Sequence, residues 1–270
     1  MKPDGLKGRV AVVTGGASGI GLAVCRELAA HGAGIAMLDM DEAALGKAVK
    51  EFSEKKFLIL PLPCDITQED SCKAAMDEVL NQFGRIDILF NNAGTTQRGL
   101  FEKTEIQVFK KVMDVNFFGA LYCTKAALPA LIKAKGIIIV NESIAGVAPL
   151  LGRTGYSASK HALHGMFTSL RCELRHKGVH VMIVCPGFIR TNLQTRALGC
   201  DGGIATHEQT TVGREDTPEN AARQILEGIE KKKTMLVLTF MGKLGYLVSR
   251  LFPDLYERLM TSRFKKELDQ

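Results

Sequence analysis

No stretch of this 270-residue chain approaches the roughly 20 unbroken apolar residues that a membrane-spanning helix needs; runs such as 136–140 and 235–241 are far shorter. The first eight residues lack the apolar core of a signal peptide. These absences lead us to expect a soluble, cytoplasmic chain. Its seven cysteines form no CxxC pair and no zinc-like spacing. Their scatter through apolar segments suits a reducing compartment, where Cys packs as a small hydrophobe. His161 and His164 share a helix without a neighbouring acid or thiol, so no metal site is expected. Linker-like stretches and internal repeats are missing too, which argues for one domain. Excess charge is also absent from most of the chain. Residues 231–270 hold nine basic and four acidic residues and so carry nearly all of the net +6. Even charge elsewhere argues against nucleic acid as a partner.

What is present is 46% apolar and 24% charged residues, an ordinary globular balance. Short β-branched or apolar runs at 9–14, 34–39, 57–62, 86–90, 136–141, 179–185 and 235–239 read as seven strands. Helix-patterned segments separate most of them, at 19–31, 42–52, 68–83, 105–134, 155–177 and from Pro218. This alternation predicts a single α/β domain, a doubly wound Rossmann fold with a seven-stranded parallel sheet and helices on both faces. The domain is expected over 1–240, with a strand-poor substrate lid at 186–217. A helical extension follows at 241–270. Ligands of such sheets sit beyond the carboxyl ends of the strands.

The chemistry-bearing residues cluster at those ends. Thr14-Gly15-Gly16-Ala17-Ser18-Gly19-Ile20-Gly21 lies between strand one and helix one, where glycines let backbone amides approach a pyrophosphate at a positive helix end. Asp39 ends strand two; it can accept bonds from an adenosine ribose and would repel a 2′-phosphate. Asp65 either bonds an adenine amino group, with Ile66 beside the ring, or caps the next helix. Asn91-Asn92-Ala93-Gly94 ends strand four with small residues that let backbone lie along a cofactor. Tyr156 and Lys160 share one helix face at i and i+4. At about 4 Å and an effective dielectric near 20 the pair is worth roughly 4 kcal/mol, enough to bring the phenol near working pH as a base. Ser143 ends strand five, where it either bonds a reacting oxygen or caps a turn. Asn116 lies inside the long helix.

These features together, TGGASGIG, Asp39, CDI at 64–66, NNAG, Asn116, Ser143, YSASK and Pro186-Gly187, resemble the short-chain dehydrogenase/reductase family across about residues 7–240. The resemblance implies that Tyr156 is the general acid/base, and that Lys160 lowers its pKa and holds the nicotinamide ribose. It implies further that Ser143 positions the substrate oxygen and Asn116 anchors a water in a proton relay. Pro186, Gly187, Ile189 and Thr191 would frame the carboxamide. One residue departs from the family pattern: Glu142 stands where a small polar residue is usual. Adjacent strand residues face opposite sides of a sheet, so Glu142 is expected to point away from substrate and to pair with a buried donor.

Substrate walls are expected at 95–101 and 146–154, the latter apolar through Val147, Ala148, Pro149, Leu150 and Leu151, with Phe188, Leu193 and Leu198 from the lid. Arg98, Arg153 and Arg190 are candidates for one charged group, although each reads more simply as a surface arginine. In the extension, Leu244, Leu247, Val248, Leu251, Phe252, Leu255, Leu259 and Met260 follow helical spacing with basic residues among them. Packing on the sheet or on another subunit is the first expectation for this stripe, and peripheral contact with an anionic membrane the second. The composite expectation is an NAD-dependent oxidoreductase for a hydrophobic secondary alcohol or ketone, working as a homodimer or homotetramer through 105–134 and 155–177. The rivals are an NADP(H)-dependent ketone reductase and a catalytically silent nucleotide-binding module that docks on membranes.

Overall fold

The computed structural model describes residues 5–206, 210–211 and 213–267, the Lys266 side chain apart. Lid positions 207–209 and 212 and the chain ends 1–4 and 268–270 of the expected organisation lie outside the described residues. Seven parallel strands form one sheet: β1 (Val10–Thr14), β2 (Gly34–Asp39), β3 (Ile59–Pro63), β4 (Ile88–Asn91), β5 (Ile137–Asn141), β6 (His180–Cys185) and β7 (Met235–Val237), in spatial order β3-β2-β1-β4-β5-β6-β7. The order reverses between β1 and β4, which opens a crevice at their carboxyl ends.

Both faces of the sheet are covered, so the central strands read as continuous apolar runs rather than alternating ones. In β1, Ala11 and Val13 face a core built with α1 (Gly19–Ala30), α2 (Glu42–Glu54) and α7 (Pro218–Glu230). Val10 and Val12 face a second core under α3 (Glu69–Phe83), α5 (Gly119–Ala134) and α6 (Thr154–Leu174). At the sheet edge, β3 starts later than expected and carries Pro61 and Pro63, which cannot donate to a ladder and suit an edge strand.

The expected unbroken helix over 105–134 is three pieces: α4 (Ile106–Met113), a π-helical turn at Asp114–Phe118, and α5. Extra residues of this kind inside a helix mark functional positions, and this one contains Asn116. By length and composition the run Ile106–Ala134 is apolar enough to cross a bilayer, with a mean hydropathy of 1.3. Its five charged residues had masked that character from the search for unbroken apolar runs. Within the fold, Cys123, Ala127 and Leu131 of this helix are fully buried in the second core.

The extension forms two helices, α8 (Phe240–Leu251) and α9 (Pro253–Arg263), with Pro253 in the first turn of α9. Among the described residues most of its stripe stays open rather than packing on this chain's own sheet, with only Val248 and Met260 half-buried. Phe240, Leu247, Leu251, Phe252, Leu255 and Leu259 are all at least half exposed.

Candidate active site

The β1–α1 turn needs glycine at three places for two reasons. Gly15 and Gly19 adopt φ of +60° and +52°, which side chains rarely tolerate. At Gly21 a Cβ would strike the Gly15 carbonyl and come within 2.6 Å of Asn92 Nδ2. Asn92 Nδ2 donates to the carbonyls of Thr14 and Gly15 at 2.9 and 3.1 Å, and the amides of Asn92 and Ala93 donate to Thr14 Oγ1 at 3.0 and 3.1 Å. Thr14, which sequence reading passed over, thus rivets the ends of β1 and β4 together. Ser18 caps α1 without a side-chain bond, and no acid occupies the first turn, so the positive helix end faces the crevice unneutralised. Ile20 is buried beneath the loop, and Thr191 of the lid packs over Gly19.

Asp39 is held at the rim of this turn. Its Oδ2 accepts from Ala17 N at 3.0 Å and its Oδ1 from Asp41 N at 3.1 Å. Arg196 of the lid reaches the same corner and bonds Asp41 at 3.3 Å, a long-range approach with no local sequence signal. Asp65 is exposed, and its Oδ1 accepts from both the amide and the hydroxyl of Thr67; it does not cap α3, whose cap position is Gln68. Ile66 does not lie open beside it. It is buried in the second core against Gly119, where α5 passes too closely for a Cβ. Gly94 lies beside Asn116 and Lys160, Pro186 accepts from Ile144 N, and Gly187 packs against Thr239. Ile189 is buried and bridges to Asp216. The glycine cradle, free helix end and anchored carboxylate fit a dinucleotide.

Tyr156, Ser143 and Lys160 converge at the carboxyl ends of β4 and β5. Ser143 Oγ accepts from Ala145 N at 3.1 Å, the turn-capping alternative, and its hydroxyl side also faces the Tyr156 phenol closely enough to favour the phenolate. Lys160 Nζ donates to the Asn141 carbonyl at 2.8 Å and lies 5.7 Å from the Tyr156 ring centre. Burial raises the Tyr156 pKa above its ordinary value; Ser143 and Arg153 pull it down and Glu142 pushes it up. The expected depression by Lys160 is therefore not found in the protein alone. Burial brings Lys160 itself down to about 8, against the pull of Glu142, and its ammonium is aimed at a carbonyl rather than at the phenol.

Asn116 is buried, not solvent-facing. Its Oδ1 accepts from Thr95 N at 2.8 Å, and its Nδ2 donates to Thr95 O at 3.0 Å and to Ser159 Oγ at 2.8 Å. Ser159 Oγ in turn donates to the Tyr156 carbonyl. Gln97 Oε1 accepts from Tyr156 N at 3.0 Å, satisfying an amide in the first turn of α6. Gln97 and Ser159 were not expected. Nothing in their spacing announces them, because both meet Tyr156 only through the packed fold.

The model of the family described as short chain dehydrogenase matches residues 9–198. The chain belongs to that family. A dehydrogenase/reductase SDR family member 7B of Xenopus laevis is 35% identical over 271 residues, spanning 97% of this chain and 83% of the relative. An 11-beta-hydroxysteroid dehydrogenase-like 2 of Arabidopsis thaliana is 33% identical, over 95% of this chain and 82% of its own. Among solved structures, a short-chain dehydrogenase/reductase from Burkholderia phymatum in complex with NAD superposes with a TM-score of 0.83 at 23% identity, covering 93% of this chain and 95% of that one. A short-chain dehydrogenase from Streptomyces avermitilis gives 0.78 at 26% identity, over 96% and 98%. The chain is an oxidoreductase of CH–OH donors that uses a nicotinamide cofactor.

The substrate side of this dehydrogenase is built by long-range contacts. Tyr156 sits in a small apolar cluster with Val108, Val112, Ala145 and Leu198, flanked by Leu150. The lid is pinned to the wall: Arg98 N donates to Leu198 O, and Leu198 N to Thr96 O, at 2.7 and 2.8 Å. A cavity of about 270 Å³ lies between the two, with Arg98, Lys103, Leu100, Ile204 and Glu267 in its lining. Arg98 and Arg153 are buried, against the expectation of surface positions; Arg190 is exposed. Arg153 lies 3.9 Å from the buried carboxylate of Glu267, whose other oxygen accepts from Thr210 N of the lid at 3.2 Å. Glu267 had drawn no attention in sequence, being one acid in a basic tail.

Proposed function

We propose that this dehydrogenase interconverts an apolar secondary alcohol and its ketone with NAD(H), with Tyr156 as general acid and base. The observation that carries the reading is the Tyr156 side chain, buried among apolar side chains with Lys160 Nζ 5.7 Å from its ring centre. A carbinol oxygen placed between the phenol and the Ser143 hydroxyl is oriented by one and deprotonated by the other. When bound, the nicotinamide takes or returns the hydride. Lys160 holds the ribose and supplies positive charge behind the phenol. The Asn116 side chain bonds Thr95 and Ser159, and its Oδ1 keeps a second lone pair for a relay water at this turn. Gly15, Ser18, Gly19, Ile20 and Gly21 cradle the pyrophosphate. Asn92, Ala93 and Gly94 lie along the cofactor, and Pro186, Gly187, Ile189 and Thr191 frame its carboxamide. The name of the Arabidopsis relative points to hydroxysteroids, in keeping with apolar walls at Leu150 and Leu198.

NAD(H) is favoured because Asp39 keeps a carboxylate where the 2′-phosphate of NADP(H) would lie, and Arg196 spends its guanidinium on Asp41. The test is a thermal shift with saturating NADH and, separately, NADPH. At 100 times the dissociation constant a ligand stabilises by about 2.7 kcal/mol, which for a chain of this size raises Tm by about 5–10 °C. NADH should give this shift and NADPH much less. The reverse ranking assigns the enzyme to NADP(H), and no shift with either favours a silent module.

The α8–α9 face extends this reading to a partner. Phe240, Leu244, Leu247, Leu251, Leu255 and Leu259 are exposed apolar residues accompanied by Lys243, Arg250, Arg258 and Arg263, a composition complementary to an anionic lipid surface. The protein should co-sediment with phosphatidylserine-containing vesicles better than with phosphatidylcholine alone, and Leu247→Glu with Leu255→Glu should abolish the difference. Equal sedimentation with both vesicles, with the double variant instead dissociating a dimer in gel filtration, assigns the face to self-association.

A further inference from the structure

Glu142 has no role in the mechanism above, yet it occupies the centre of it. It is the residue between Asn141, whose carbonyl holds Lys160 Nζ at 2.8 Å, and Ser143, whose hydroxyl faces the Tyr156 phenol. Its side chain is 2% exposed. The Glu142 Oε2 atom lies 3.2 Å from His164 Nδ1, one turn along α6 from Lys160, and accepts from Cys185 Sγ of β6 at 3.4 Å. Its Oε1 has no hydrogen-bond partner among the described residues, and Gly146 leaves room for it where a Cβ would collide. A buried carboxylate is costly unless a positive charge compensates it.

We propose that Glu142 is a positioning residue of the catalytic pair: clamped between α6 and β6, it provides the buried counter-charge that keeps Lys160 protonated and fixes the strand end to which Lys160 is tied. The inference rests on the reading that Lys160 holds the nicotinamide ribose. The ionisable groups around the carboxylate are Tyr156, Lys160 and His164 from α6 and Cys185 from β6; the turn at Ile144–Gly146 contributes none. Of these, Lys160 has a strong reason to lose charge, because burial brings its pKa down to about 8 even with Glu142 pulling it up. The side chain of His164 is 30% exposed, so it joins the buried carboxylate to solvent.

The test is the dissociation constant of NADH, followed by its fluorescence, between pH 6 and 10. In the unmodified protein the affinity should weaken through a break near pH 8 as Lys160 deprotonates. In Glu142→Gln the break should move about one unit to lower pH, since removing an anion at this range disfavours the ammonium. Glu142→Asp, which keeps the charge, should hold the break near its original position. If Glu142→Gln does not fold, His164→Arg tests the same point from a half-buried site, because a cation bonded to the carboxylate cancels its field and moves the break the same way. Lys160→Met separates the two readings. A break that survives in Lys160→Met overturns the ribose contact; a break that vanishes there but stays fixed in Glu142→Gln and His164→Arg overturns the role of Glu142.

Discussion

Tyr156→Phe should lower the turnover of a cyclic secondary alcohol by about 10²–10⁴-fold, the usual contribution of one positioned acid–base group. The thermal shift with NADH should persist, because the change removes a single oxygen and leaves the ring in its apolar cluster with Val108, Val112 and Leu198. Ser143 is only half-buried, so its hydroxyl finds water once the phenol is gone, and stability should change little. The pH dependence carries a sign. Burial holds the phenol above its ordinary pKa, so it is protonated at neutral pH and ready to donate. Ketone reduction should therefore be flat through neutral pH and fall as Lys160 loses its proton near 8, while alcohol oxidation should rise with pH through the neutral range. Unchanged turnover in Tyr156→Phe would remove this residue from the reaction.

Glu267→Ala should be the most destabilising single change around the cavity between the lid and residues 98–103. Arg153 caps α6 three residues before Tyr156 and is 3% exposed; burial has already drawn its pKa down to about 10 with Glu267 pulling the other way. Removing the carboxylate leaves a buried cation without this partner, a loss of about 3–5 kcal/mol or about 6–20 °C in Tm for a domain of this size. It also frees the Thr210 amide, which ties the lid to the tail. Adding Arg153→Met should recover much of the stability, since an apolar replacement of a buried pair is often neutral. Thermal denaturation of the three proteins decides it. A change below about 1 °C in the single variant would show that the tail is not fastened through this pair.

How much of this was legible in the chain varies by residue. Thr14–Gly21 and the Tyr156–Lys160 pair are local patterns whose meaning depends only on a strand, a turn or a helix passing through them, and each lies at the expected strand end or helix face. Asp39 was legible as the last residue of a strand. Glu142 was expected to pair with a buried donor, and Cys185 Sγ is that donor, because alternation along a strand is itself local. Asn116 was visible as a candidate but not in its setting. The π-turn that carries it and its bonds to Thr95 and Ser159 depend on α4, α5 and α6 meeting in space. The packing of Ile66 under Gly119 was not legible, because the approach of α5 has no trace in residues 64–66.

By itself the sequence determined the parallel α/β sheet, the glycine-rich turn after β1 and the candidate side chains at the strand ends, since periodicity and short motifs are properties of neighbouring residues. Tertiary structure alone decided the charge states around Tyr156, the burial of Arg98 and Arg153, the recruitment of Glu267 from the tail, and the exposure of the α8–α9 stripe. Burial and pairing depend on which distant segments exclude water from a side chain. An arginine or a leucine reads the same in the chain whether the fold covers it or leaves it open.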